Sequence, residues 1–269
     1  MTPEDIKNLS YTDFIGFVNQ WNVPPGAYST LSQWKQFSGL DKDSRILEIA
    51  CTSGFSIREL VLATGANGVG VDLSRASIEA AKETQSKYAP NTNIEYHAAD
   101  AYEFDPGKKF SHVVLGAALK FFPDPERLMR KLIGESLEDN GFFLASPFYV
   151  PEPIPAPLIE RAKVIFGITV TNEPYKEIMR PYRGLEILYE RHEIPLQETE
   201  EELHHYCQST IDRACERRGI TSQSTKDAMF ARLLEIKKMS NDLRPYQRYV
   251  VLVLRYRSLL YPNRFVELF

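Results

Sequence analysis

Cysteine and tryptophan are scarce in this chain, positive charge is not in excess, and no apolar run is long. Cys51, Cys207 and Cys215 are an odd number of cysteines, at spacings that fit neither a zinc site nor a disulfide framework. With no secretory leader in the opening MTPEDIKNLS, we expect reduced thiols and a cytoplasmic location. The longest clean apolar run, Val250 to Leu254, is far below a membrane span. A formal net charge of −4 argues against a general nucleic-acid binder, which normally presents a positive face. Neither nucleic acid nor membrane is therefore expected as a partner. Apolar residues at 43% and charged residues at 25% exclude a disordered chain. The 269 residues suit one α/β domain with an insertion. Aromatics are plentiful instead, with 14 Tyr and 15 Phe.

From Arg45 onward, short apolar runs alternate with helical patterns. The strand candidates are Arg45 to Ile49, Gly68 to Asp72, Asn93 to His97, His112 to Gly116 and Gly141 to Ser146. Each is separated from the next by enough chain for a crossover helix. Ser74 is placed to cap the helix after the second strand, and Asp124 with Pro125 to start the one before the fifth. The pattern predicts an α/β fold: a doubly wound, mostly parallel sheet of the seven-stranded type, with helices on both faces. Residues 1–40 read as an irregular leader or cap segment, and 41–146 as the binding core. The Pro- and Tyr-rich stretch 147–198 reads as an inserted lid with a strand candidate at Glu186 to Arg191. Residues 199–269 read as the rest of the core. There Thr199 and Glu202 form a capping box, a further helix covers Thr225 to Met239, and Tyr249 to Arg255 is a last strand.

In open α/β sheets the ligand sits beyond the carboxyl ends of the strands, where strand order reverses. The first strand runs into Glu48-Ile49-Ala50-Cys51-Thr52-Ser53-Gly54 and then directly into a helix. Small residues there let a ligand approach the backbone beside free helix N–H groups. Asp72, ending the second strand, is placed to accept ribose hydroxyls, and Asp100 is a second acid on the same rim. Cys51 reads as a small filler, while Cys207 and Cys215 fall on the apolar stripe of their helix. His112 starts its strand, at the wrong end for chemistry.

This series of segments resembles the class I S-adenosylmethionine-dependent methyltransferases. Glu48 to Gly54 stand where that family has an acid followed by a loop of three alternate glycines. Here Ala50 and Thr52 replace the first two, and only Gly54 remains. Asp72, with Leu73 after it, matches the ribose-binding acid, and Asp100 with Ala101 the pair that reads adenine. The run Phe110 to Pro125, including Gly116, looks like the fourth motif, and Leu137 to Leu144 like the fifth. The resemblance covers about residues 40 to 150 and implies S-adenosylmethionine as methyl donor, with S-adenosylhomocysteine as product. The cofactor set it implies is Glu48, Ala50, Cys51, Thr52, Ser53, Gly54, Asp72, Leu73, Asp100, Ala101 and Gly116. The hydroxyls of Thr52 and Ser53 are placed to bond the methionine end of the donor.

Gly116-Ala117-Ala118 lacks the Asn/Asp-Pro-Pro-Tyr signature of amide and nucleobase-amine methyltransferases. It also lacks the acid with which catechol-type enzymes bind magnesium, so no metal is expected. Acceptor contacts then fall to the leader and the lid, with Tyr11, Trp21, Tyr28, Phe148, Tyr149 and Tyr182 as candidates for an aromatic pocket and Arg180 as a candidate to bind an acceptor carboxylate or phosphate. His192 is the first candidate base and Tyr149 the second. The expected acceptor is a small organic molecule methylated at N, O or C. Two other readings stay open: a non-catalytic binding or assembly protein of this fold, and a nicotinamide-dependent oxidoreductase. The apolar tail Phe265 to Phe269 is a candidate contact for a homo-oligomer.

Overall fold

In this computed structural model, residues 1–21 and 23–262 are described. The tail Phe265 to Phe269 lies outside them, as does Asn22 of the leader. Three helices occupy the segment read as irregular: α1 (Pro3–Asn8), α2 (Tyr11–Phe17) and α3 (Ala27–Ser38). Their starts are written locally, because Thr2 and Asp5 form a reciprocal capping box and Ser10 accepts from Asp13 N–H. The Rossmann-like part then runs β1 (Arg45–Ile49), α4 (Phe55–Thr64), β2 (Asn67–Asp72), α5 (Arg75–Tyr88), β3 (Ile94–Ala98), β4 (Phe110–Gly116), α6 (Pro125–Lys131) and β5 (Leu137–Ala145). The caps expected at Ser74 and Asp124 form as predicted. The fifth strand starts four residues before Gly141: Leu137 pairs with Phe110, the chain bulges out through Asn140 (φ +62°), and pairing with β4 resumes at Phe142 opposite His112.

Beyond β5 come β6 (Phe148–Tyr149), α7 (Ala156–Phe166), α8 (Tyr175–Ile178), β7 (Glu186–Glu193), α9 (Glu200–Arg218), α10 (Gln223–Leu243) and β8 (Arg248–Arg255). Strand order is β3-β2-β1-β4-β5-β8, parallel through β5, with β8 antiparallel to β5 and β7 antiparallel to β8. The short β6 is a continuation of β5. Ala145 lies opposite Leu252 and Phe148 opposite Tyr249, one unbroken register.

Two divisions differ from the sequence expectation. Residues 186–193 are the edge strand of the sheet and so belong to the core, not to the lid. Helices α9 and α10, expected to complete the core, pack elsewhere. Ile6, Phe14, Phe17, Val150, Phe166, Ile211, Met229 and Leu233 share a separate apolar cluster, so the cap is built from the N-terminal helices α1 and α2 together with α7, α9 and α10. Arginines lock it together: Arg217 and Arg218 donate to Phe17 O at 2.7 and 2.8 Å, and Arg232 to Ile6 O and to Leu9 O. These carbonyls end α1 and α2, where a cation is favoured.

The sheet carries one core on each face. Leu47, Val113, Phe143, Leu252 and Leu254 look one way, and Ile46, Val114, Leu144, Val251 and Val253 the other, the period of two expected of a sheet buried on both sides. Cap and sheet meet at α2 and α5. There a Cβ on Gly16 would lie 2.6 Å from Ser77 N, so the helices touch backbone to backbone.

Candidate active site

The loop after β1 crosses the point where strand order reverses. Its backbone is left-handed at three alternate positions, Ala50 (φ +56°), Thr52 (φ +48°) and Gly54 (φ +72°). The two substituted glycine positions therefore keep a glycine conformation, at a steric cost that is greatest for a β-branched residue. Gly54 is different in kind. A Cβ there would sit 2.8 Å from ring carbons of Tyr96 and nearer still to its hydroxyl. At this site glycine is demanded by space as well as by φ. No alternation rule would have flagged Tyr96, because its role arises where β3 passes under the loop.

Asp72 stands at the end of β2 with both oxygens engaged. Oδ2 accepts from Thr52 N at 2.9 Å and Oδ1 from Ser74 N at 2.9 Å. Each carboxylate oxygen retains a second lone pair, so the group both pins the loop and can still take ribose hydroxyls. Burial raises its pKa against those two backbone bonds, which lower it, while Asp13 adds a smaller upward push. Leu73 is exposed beside it. Asp100 is exposed, with Oδ1 holding Tyr102 N at 2.9 Å, and Ala101 is buried behind it. Gly116 ends β4 with φ +53° and its carbonyl accepts from Ser146 N, joining the β4 and β5 ends.

Three residues of the expected cofactor set face away from the rim. Glu48 turns down to α4, accepting from Ile57 N at 3.0 Å; it anchors the helix that the loop feeds. Its carboxyl is pushed up to about 8 by burial, with bonds from Ser56 and Ile57 opposing the shift. The Cys51 thiol is buried toward Gly70 and its pKa is raised by burial, so it fills space as read from the sequence. Ser53 is buried and spends its hydroxyl on Gln20 O at 2.9 Å, leaving it without a hydrogen to give the donor. Gln20 itself was not foreseen. Its Oε1 is buried and finds no partner among the described residues, an orphan acceptor carried on the residue that bonds the loop.

The expected acceptor residues scatter. Tyr11 lies in the cap core, edge-on to Phe166 at 5.6 Å. Trp21 packs on Phe55, Tyr88 and the buried Arg58. Tyr28 sits outside α4 and bonds Glu59. Arg180 is exposed and pairs with Glu177 and Glu126. Tyr182 is 3% exposed, packed under Phe143 in the sheet core. The aromatic residues among these were read as pocket-lining because aromatic character alone does not reveal which face a loop residue shows. Phe148 points to the opposite sheet face from Tyr149 and packs on Tyr249.

The two candidate bases, in contrast, are brought together. Tyr149 Oη lies 2.9 Å from His192 Nδ1, across β8. His192 Nε2 is 2.7 Å from Glu190 Oε1, which also accepts from Tyr175 O–H at 2.7 Å. Glu190 and Tyr175 were not foreseen as site residues; the i, i+2 spacing of Glu190 and His192 on one strand was the available signal. The cluster adjoins the β4 end: Val150 N donates to Glu173 O, and the Glu173 carboxylate pairs with Lys120 in the turn after β4. His112 is at the other end, buried and stacked on Phe142, with its pKa lowered to about 4 by burial. Among the described residues there is no cluster of three metal-binding side chains, and no helix long and apolar enough to cross a membrane.

Residues 46–141 match the family described as methyltransferase domain. No curated protein matches the chain in sequence. Among solved structures, the MccD protein is similar at 25% identity and a TM-score of 0.69, over 88% of this chain and all of that one. A SAM-dependent methyltransferase from Geobacter sulfurreducens, in complex with S-adenosyl-L-homocysteine, is similar at 16% identity and a TM-score of 0.64, over 91% of this chain and 98% of that one. Phosphoethanolamine N-methyltransferase 2 of Haemonchus contortus, with phosphomonomethylethanolamine and S-adenosylhomocysteine, is similar at 17% identity and a TM-score of 0.63, over 93% of this chain and 61% of that one. With the loop, the rim acids and the strand order as described, the chain has the Rossmann-like methyltransferase fold, and its residues 46–141 carry the match to the methyltransferase domain family.

Proposed function

We propose that the chain transfers the methyl group of S-adenosylmethionine to a small organic acceptor held between the β4–β5 rim and the cap. The observation that carries this is Asp72, whose Oδ2 holds the loop at Thr52 and whose Oδ1 holds Ser74 at the start of the next helix, while both keep lone pairs for a ribose. Asp100, with Oδ1 on Tyr102 N, supplies the second rim acid, and Gln20 Oε1, a buried acceptor without a partner among the described residues, is suited to the donor's ammonium group. When bound, the donor supplies an already activated methyl, so the chain's task is to align the acceptor and exclude water. A cap joined to the rim by the Ser74–Asp13 bond at 2.8 Å and the Ser53–Gln20 bond suits a small substrate better than an open polymer groove.

Calorimetric titration with S-adenosylmethionine, with NAD in parallel, tests the reading. Saturable donor binding without an NAD signal is expected, followed by S-adenosylhomocysteine release on a panel of small amines, alcohols and thiols that includes phosphoethanolamine. Folded, ligand-free protein that ignores the donor would overturn it in favour of a binding or assembly module. NAD binding in its place would favour an oxidoreductase.

A further inference from the structure

We propose that Tyr149, His192, Glu190 and Tyr175 form a proton relay on the acceptor side, so that the acceptor carries an N–H or O–H whose proton leaves as the methyl arrives. This rests on the methyl-transfer reading above. The hydrogen-bond directions at Glu190 are forced by chemistry. Glu190 Oε1 already takes the Tyr175 hydroxyl and lies 2.7 Å from His192 Nε2. A carboxylate has no hydrogen to give, so Nε2 bears a ring proton; the proposed resting tautomer leaves a lone pair on Nδ1. Tyr149 Oη, 2.9 Å from Nδ1, is then the donor, and its oxygen keeps lone pairs for a third group. Burial raises the Tyr149 pKa, with Arg248 opposing and Glu190 adding, in keeping with a protonated phenol in that bond.

Position supports the assignment. Tyr149 follows the carboxyl end of β5, and its neighbour Val150 is tied through Glu173 to Lys120 after β4. The His192 side chain is 43% exposed, whereas a network serving only to hold the sheet together has no need of an outlet to water. In the step, the donor's S–CH3 bond breaks as an N–CH3 or O–CH3 bond forms, and neutral S-adenosylhomocysteine leaves. The acceptor's proton passes to the Tyr149 oxygen while the Tyr149 proton passes to His192 Nδ1. The resulting imidazolium lies against Glu190 and returns its proton to solvent. Tyr149 is the catalytic residue of this set; Glu190 and Tyr175 are positioning residues that fix the ring.

Histidine-selective 15N labelling of the full chain and long-range 1H–15N spectra read the ring directly, with His192→Gln giving the assignment. The expected result is the Nε2–H tautomer in the wild type, a shifted Nδ1 resonance in Tyr149→Phe, and loss of the exclusive tautomer in Glu190→Gln. An Nδ1–H tautomer in the wild type, or an Nδ1 resonance unmoved by Tyr149→Phe, overturns the proposal. On the acceptor panel, Tyr149→Phe is expected to slow turnover of amines and alcohols by about 100-fold or more; turnover at the wild-type rate overturns it. Donor titration of the same samples tests the methyl-transfer reading separately, because Asp72 is held by Thr52 and Ser74 and Tyr149 bonds His192 instead.

Discussion

Replacing Gly54 by alanine puts the loop geometry to a quantitative test. The residue sits at φ +72°, and its new Cβ would press on the Tyr96 ring at 2.8 Å and on the hydroxyl beyond it. Left-handed backbone costs a residue with a Cβ about 1–2 kcal/mol. Forcing an extra carbon into packed surroundings costs about 1–3 kcal/mol more. The sum, about 2–5 kcal/mol, corresponds to a fall in Tm of roughly 4–20 °C for a chain of this size. Scanning calorimetry reads it without any ligand. Tyr96→Phe supplies the control, since the Tyr96 hydroxyl is buried and has no partner among the described residues. Alone it should be neutral or mildly stabilising. Combined with Gly54→Ala it should recover about 1 kcal/mol, because the closest clash goes while the ring carbons stay. A Gly54→Ala midpoint within about 1 °C of wild type, or strict additivity in the double variant, would refute the reasoning.

Thr52→Gly should act in the opposite sense, since φ +48° strains a β-branched residue. Relief of about 1–2 kcal/mol, less about 0.5–1 kcal/mol for glycine's freedom in the unfolded chain, predicts a higher urea midpoint at unchanged m-value. Asp72→Ala should weaken S-adenosylmethionine binding by about 1.5–3 kcal/mol, or roughly 10- to 150-fold in Kd by calorimetry; unchanged affinity would put the ribose elsewhere. Glu48 gives a pH signature. Its carboxyl stays protonated in the fold up to about pH 8, against an ordinary value of 4.5, so stability falls as pH rises through that window. Glu48→Gln, which can still accept from Ile57 N, should match wild type near pH 5 and exceed it increasingly toward the upper end, as read by denaturant titration across pH. Parallel curves would show that burial does not hold the proton on Glu48.

Much of the core was legible in order because each element is specified by nearby residues. Ser74 and Asp124 cap the helices that follow them, Thr199 and Glu202 form their capping box, and the five parallel strands fall within a few residues of where alternation and turns put them. The two candidate bases were named from the sequence, yet their contact was not, for 43 residues separate Tyr149 from His192 and only the antiparallel return of β8 sets them side by side. Where Tyr11, Tyr28 and Tyr182 pack was not legible for a related reason: a ring's attraction to an apolar surface does not say which surface it meets.

What the sequence determined by itself was the local grammar: periodicity, caps, and the placing of Asp72 and Gly54 at strand ends. Those depend on contacts within a few residues and survive without knowledge of the fold. Tertiary structure alone decided that α1 and α2 join α9 and α10 in one cap and that β7 closes the sheet edge. It also decided that Tyr96 makes Gly54 obligatory, and that Glu190 orients His192 toward Tyr149. Each of these is a meeting of segments distant in sequence or a choice of side-chain direction. Pairing and packing across the whole chain settle such choices; no single segment carries them.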